Sequence, residues 1–147
     1  MRAKSMSHLV APLERVLEEA QGRNVGSTGI GDGGNELGMG KVRDKVIASG
    51  VPNAESIACT VATDHLITCS VSNWGGYALA GALGVVLRSK TATLPSDREE
   101  TELLERMRKA GARDGVSGKL DLTVDGMPLS MQLSVLRDLR EIAEGGA

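Results

Sequence analysis

Apolar residues recur at helical spacing near the start of the chain. Leu9, Val10, Leu13, Val16, Leu17 and Ala20 share one face over residues 9–21, with Glu and Arg opposite. Pro12 fits a first helical turn, so the regular helix is expected from near Ala11, and Gly22 ends it. A glycine-rich stretch from Gly26 to Gly40 follows. The pattern from Glu36 or Leu37 to Ser49 predicts a second helix, closed by Gly50 and Pro52. Residues 56–61 and 66–71 are rich in β-formers on either side of Asp64-His65, and predict two short strands or one broken one. Asn73 is expected to cap a helix reaching Leu87, on which Gly76, Ala80 and Gly84 form a stripe of small residues. After Leu94-Pro95, Ser96 and Glu99 have capping-box spacing, and Leu103, Leu104, Met107 and Ala110 follow on one face. Leu120, Leu122 and Val124 alternate with polar residues ahead of Asp125-Gly126, a hairpin-turn dipeptide. Residues 129–143 predict a last amphipathic helix. Strands alternating with helices give the class α/β, a layered sheet-and-helix domain that forms part of a larger one.

Composition changes this picture in two ways. Trp74 and Tyr77 are the only aromatic residues among 147, and Phe is absent. A core must therefore be built from Leu, Val, Ile, Ala and Met, while 19 glycines mark tight turns or close backbone contacts. So few large side chains suggest a segment of something larger. The net charge of −2, with no basic run, argues against nucleic acid as a main partner. Cys59 and Cys69 supply neither a disulfide framework nor zinc spacing, which points to a reducing compartment. The basic start, Met1 to Met6, is soon followed by Glu14, Glu18 and Glu19, and reads as neither a signal nor a transit peptide. The longest apolar stretch, residues 74–87, is shorter than the ~18–20 residues a bilayer demands, so a soluble chain without a membrane partner is expected.

The chemistry concentrates in Ser27-Thr-Gly-Ile-Gly-Asp-Gly-Gly-Asn-Glu-Leu-Gly-Met-Gly-Lys41. Its glycines can bring backbone N–H groups against a ligand, and Asp32, Asn35 and Glu36 add three oxygen-bearing side chains. Such a loop suits an anion, a hard cation or both; it equally suits a strand-to-helix turn capped by Asp or Asn. Gly29-x-Gly31-x-x-Gly34 satisfies a dinucleotide pattern with Glu55 near the acidic offset, but Arg23 to Ser27 make a poor buried strand before it. A Walker loop fails because Val42 follows Lys41 and Asn35 stands where its first Gly belongs. An EF-hand fails at Leu37. Gly31-Asp-Gly-Gly-Asn-Glu36 also resembles the magnesium-holding loop of haloacid-dehalogenase-like phosphatases, whose Asp-x-Asp nucleophile motif is missing upstream.

A second segment runs Ala62-Thr-Asp64-His65, then Cys69-Ser-Val-Ser-Asn-Trp-Gly-Gly-Tyr77. Asp64 is a candidate second acid at a strand end, or part of a polar turn. Asn73 and Trp74 are expected at a helix N-terminus, where free N–H groups favour a carboxylate ligand; a plain N-cap explains Asn73 equally. His65 has no partner at zinc spacing, and neither Ser70 nor Ser72 lies in a hydrolase elbow.

The glycine-rich string through Val42, followed by Val71-Ser-Asn-Trp-Gly-Gly-Tyr-Ala-Leu79, resembles the C-terminal domain of D-glutamate cyclases, and Leu9-Val10 and Pro12-Leu13 resemble the helix leading into it. The likeness is strong over residues 5–90 and looser beyond. It implies that residues 1–147 form a single segment matching the second half of that catalytic domain. It also implies closure of D-glutamate to 5-oxo-D-proline with loss of water, in the mitochondrial matrix where the animal enzymes work. Under that resemblance Asp32, Glu36 and Asp64 are the expected catalytic residues. Gly31, Gly33, Gly34, Asn35, Asn73 and Trp74 are the expected substrate contacts. Asp32, Asn35 and Glu36 are the expected ligands of a divalent cation such as magnesium, should the chemistry use one. The partner is a small amino-acid substrate, and a homo-oligomer is admitted. A magnesium-dependent phosphohydrolase and a non-catalytic ligand-binding segment are the alternatives.

Overall fold

The computed structural model describes residues 14–89 and 94–145, and the chain divides near Gly75 into two compact units. Helix α1 (Glu14–Gly22) opens the first unit. The earlier part of the helix expected over residues 9–21 lies outside the described residues. Strand β1 (Thr28–Gly31) pairs in parallel with β2 (His65–Thr68), in the register Thr28 to His65 and Gly31 to Thr68. A 3-10 turn (Gly40–Val42), α2 (Arg43–Ala48) and the single turn α3 (Ala54–Ile57) make the crossover. Helix α4 (Ser72–Val86) then gives its first turn to this unit and the remainder to the second. The α/β class holds. Among the described residues no helix is long and apolar enough to cross a membrane.

Glycine builds this unit by being absent as a side chain. A methyl at Gly29 would lie 2.7 Å from Thr63 Oγ1 and 2.9 Å from the Gly38 carbonyl oxygen. One at Gly31 would lie 1.9 Å from the Met39 sulfur, and one at Gly40 would lie 2.6 Å from the Val61 carbonyl carbon. The chain therefore lies directly on itself, with Met39, Thr63 and Val71 almost fully buried. A strand thus runs inside the stretch expected to be loop. The second helix correspondingly starts later than expected. Gly38 takes a positive φ of 90° and Met39 bridges to Ala62, so residues 36–39 cannot be helical.

Residues 56–61 also differ from expectation, forming the end of α3 and an extended exit instead of a strand. Asn53 adopts the left-handed conformation and launches the turn. The Arg43 guanidinium then donates to the carbonyl oxygens of Ala58 (2.6 Å) and Glu55 (2.8 Å), satisfying groups that a helix end leaves unpaired.

At the amino ends of the two strands Ser27 and Asp64 clasp each other. The Ser27 amide and hydroxyl each donate to Asp64 Oδ2 at 2.8 Å, and the Asp64 amide donates back to Ser27 Oγ at 3.2 Å. The Lys41 ammonium donates to the Asp64 carbonyl oxygen.

The second unit packs α5 (Asp97–Lys109) and α6 (Leu129–Gly145) with the later turns of α4. The Ser96–Glu99 capping box is present in full. Leu103 and Met107 are exposed, contrary to the expected face, because Glu100 occupies the interior instead. Its carboxylate accepts from the Tyr77 hydroxyl (2.6 Å) and the Gln132 amide (2.7 Å). Burial, aided by the bond to Glu100, raises the proton affinity of the Tyr77 phenol above its ordinary value. A hairpin of β3 (Thr123–Val124) and β4 (Met127–Pro128) turns at Asp125 and Gly126, both at positive φ. It is shorter than the alternation predicts. Asp114 gathers the preceding loop, accepting from the amides of Val116, Ser117 and Gly126 at 2.6–2.9 Å. Burial opposes the charge on Asp114, but these amide bonds outweigh it and hold the carboxyl below its usual range. Of the stripe expected on α4, Gly84 is buried, Ala80 is exposed, and Gly76 faces open space; Gly81 instead meets Leu94.

Two stability predictions follow from the first unit. Gly34 has φ +79°, and a methyl there would lie 2.4 Å from Val46 Cγ2, so Gly34→Ala adds left-handed strain to overpacking. Urea unfolding should register a loss of about 2–4 kcal/mol; a loss under about 0.5 kcal/mol would disprove the close approach. For the clasp, the side-chain and then the backbone hydrogen bond from Ser27 depress the Asp64 carboxyl below its usual 3.8. A depressed carboxylate contributes stability that is complete above the unfolded value and lost as pH falls through the folded one. Between neutral pH and about pH 3, wild-type melting temperature should therefore fall more steeply than that of Asp64→Asn; parallel slopes would contradict the clasp.

Candidate functional site

The carboxyl ends of parallel strands are where ligands commonly meet an α/β sheet, because side chains and helix N-termini converge there. Here Asp32 leaves the carboxyl end of β1, and α4 begins four residues after β2. The Asp32 carboxylate crosses to that helix. Its Oδ2 accepts from the Ser72 hydroxyl at 2.6 Å and the Ser72 amide at 3.1 Å. Asp32 is thus the acceptor at the head of α4, and Asn73, expected as the cap, is the exposed second residue of the helix. The cap comes from a residue 40 positions earlier.

Four residues beyond Asp32, Glu36 folds back over the turn. Both of its carboxylate oxygens lie within reach of the Gly33 amide, at 3.3 and 3.2 Å. A methyl on Gly33 would lie 2.8 Å from Asn35 Oδ1 and 3.5 Å from Glu36 Oε1, so both side chains gather over this exposed glycine. Asp32, Asn35 and Glu36 thus share one turn, with Ser72, Asn73 and Trp74 on the first turn of α4 beyond the neighbouring strand.

The glycines expected to cradle a ligand also pack against their own chain. Gly31 is buried beneath Met39 and Glu36, and Gly34 is buried against Val46 with its carbonyl accepting from the Cys59 amide at 2.9 Å. The Gly33 amide points to the chain's own Glu36. Their bare backbone serves self-packing. Asp64 stands apart as well. It lies with Ser27 at the amino ends of the strands, and the whole of β1 separates it from Asp32, ~13 Å at ~3.3 Å per residue. The structure does not bring Asp64 to the Asp32–Glu36 turn.

As cation ligands, Asp32, Asn35 and Glu36 offer oxygen donors on a single turn, which suits a hard ion. No group of three His, Cys, Asp or Glu able to hold a metal occurs among the described residues. Ser72 is the residue that sequence reasoning missed. Its only signal was a serine directly before a predicted helix, which reads as an ordinary cap position.

Comparison with known proteins agrees with the resemblance. Residues 1–140 match the family described as D-glutamate cyclase-like, C-terminal. The human protein named "D-glutamate cyclase, mitochondrial" is 36% identical over 149 aligned residues, which cover 86% of this chain and 24% of the human protein. The chain therefore spans about a quarter of the length of that relative. With the family profile running over nearly its whole length, the chain belongs to the D-glutamate cyclase-like C-terminal family.

Proposed function

We propose that the chain acts as a D-glutamate cyclase, a lyase that converts D-glutamate to 5-oxo-D-proline and one water. Family membership supports the reaction class, and the relative's name supports the substrate. The observation that carries the local assignment is the placement of Asp32 and Glu36 on one turn at the carboxyl end of β1.

Lactam closure requires the α-ammonium to lose a proton before its nitrogen can attack the γ-carboxyl carbon. The new N–C bond forms, a γ C–O bond breaks, and the departing oxygen leaves as water after protonation. Two carboxyl groups can divide this work as base and acid. In this reading Asp32 takes the two protons that nitrogen gives up, one before attack and one as the lactam forms, and Glu36 relays two to the departing γ-oxygen, which leaves as water. Asn35 orients the γ-carboxyl through its amide, while Asn73 and Trp74 contact the α-carboxylate side at the start of α4. Asp64 holds the strands together from the far end. A divalent cation such as magnesium on Asp32, Asn35 and Glu36 would offset the γ-carboxylate charge in a variant of the same reading. The mitochondrion is the proposed location on the strength of the relative's name, and the matrix within it follows from the family resemblance.

Incubation of the purified chain with D- or L-glutamate, with magnesium or with chelator, and chromatography for 5-oxoproline tests this reading. Product should form from D-glutamate, and Asp32→Asn should reduce turnover by roughly 100-fold or more, as expected for loss of a general base. Full activity in that variant would remove Asp32 from the chemistry. Saturable D-glutamate binding without product would favour a non-catalytic ligand-binding role, and turnover of a phosphate ester alone would favour a phosphohydrolase.

A further inference from the structure

We infer that Ser72 is a positioning residue of the reaction, fixing the carboxylate of Asp32 from the first turn of α4. The inference rests on the cyclase reading and extends it to a residue outside the glycine-rich turn. Asp32 follows the last residue of a short strand and is exposed. Ser72 anchors its carboxylate from across the sheet. One residue contributes both donors to a single oxygen, the hydroxyl at 2.6 Å and the amide at 3.1 Å. Two bonds from one anchor hold that oxygen, and with it one end of the carboxylate, at the head of α4.

The anchor sits between closely packed neighbours. Val71, its neighbour, is fully buried. Gly75, one turn further on, is pressed so closely that a methyl would lie 2.7 Å from both Cys69 Sγ and Ile30 Cγ2. The Cys69 amide donates to the Gly31 carbonyl oxygen at 3.1 Å, joining the approach to α4 to the end of β1. Ser72 is therefore fastened to the same strand end that presents Asp32. The fifteen-residue helix also directs its positive end at the carboxylate. A misplaced base costs rate more than binding, because orientation matters most where the proton moves.

Steady-state kinetics of the purified full chain test this, with Ser72→Ala and Ser72→Thr compared against wild type. Ser72→Ala should lower kcat by roughly 10- to 100-fold while KM stays within about twofold. Ser72→Thr keeps the hydroxyl and should recover most of that loss, with far-UV circular dichroism unchanged in both variants. A Ser72→Ala enzyme with wild-type kcat overturns the inference while leaving the cyclase reading intact. So does a loss that Ser72→Thr fails to repair, or one as deep as that of Asp32→Asn, since a group acting through Asp32 cannot matter more than Asp32 itself. A wild-type chain that forms no 5-oxoproline overturns both.

Discussion

The site depends on backbone pressed against backbone without side chains between. Gly29 and Gly31 occupy β1 where Thr63, Gly38 and Met39 leave no space for even a methyl group. That contact holds the strand down, and the chain must then escape upward at its carboxyl end through Asp32 and Gly33. The tight return at Gly34, which takes a positive φ, brings Glu36 back over the strand the chain has just left. Two acids four residues apart meet on one turn because the intervening backbone can bend in ways that residues with a Cβ rarely can.

Hydrogen bonding then divides the acids between two tasks. Asp64 spends its carboxylate on Ser27 at one end of the strand pair, and Asp32 reaches α4 at the other. The first is closed on itself, with Lys41 on the neighbouring carbonyl. The second ties a strand end to a helix N-terminus while remaining exposed. A carboxylate held at a helix N-terminus is favoured by the positive end of the helix. The buried Glu100 of the second unit is different in kind, since Tyr77 and Gln132 enclose it inside the packing of the helices.

Local signals in the sequence were legible where the physics is local. The Ser96–Glu99 box, the Asp125-Gly126 turn and the last helix formed as their residues predict. The α/β class and the family were equally readable, the latter from the long Gly/Asp/Asn/Glu string. What could not be read depended on partners far along the chain. Residues 56–61 carry β-formers, yet the turn Ala54–Ile57 runs into them and Arg43 closes its end. Glu100 went inward because Tyr77 and Gln132 receive it. Asn73 looked like a cap, and Asp32 took the position from 40 residues away. The candidate acids were found in sequence, but only coordinates could separate Asp64 from Asp32. The glycines stand out in sequence for close approach, and the neighbours they meet in the fold include their own chain.

The central claim is that the carboxyl end of β1, not the clasped amino end, receives the amino acid. Titration of the isotopically labelled chain with 5-oxo-D-proline, followed by amide chemical shifts, addresses it most directly. Saturable shifts confined to residues 32–36 and 72–74 are the predicted result. Shifts centred on Ser27, Lys41 and Asp64, with the Asp32 turn unmoved, would contradict it.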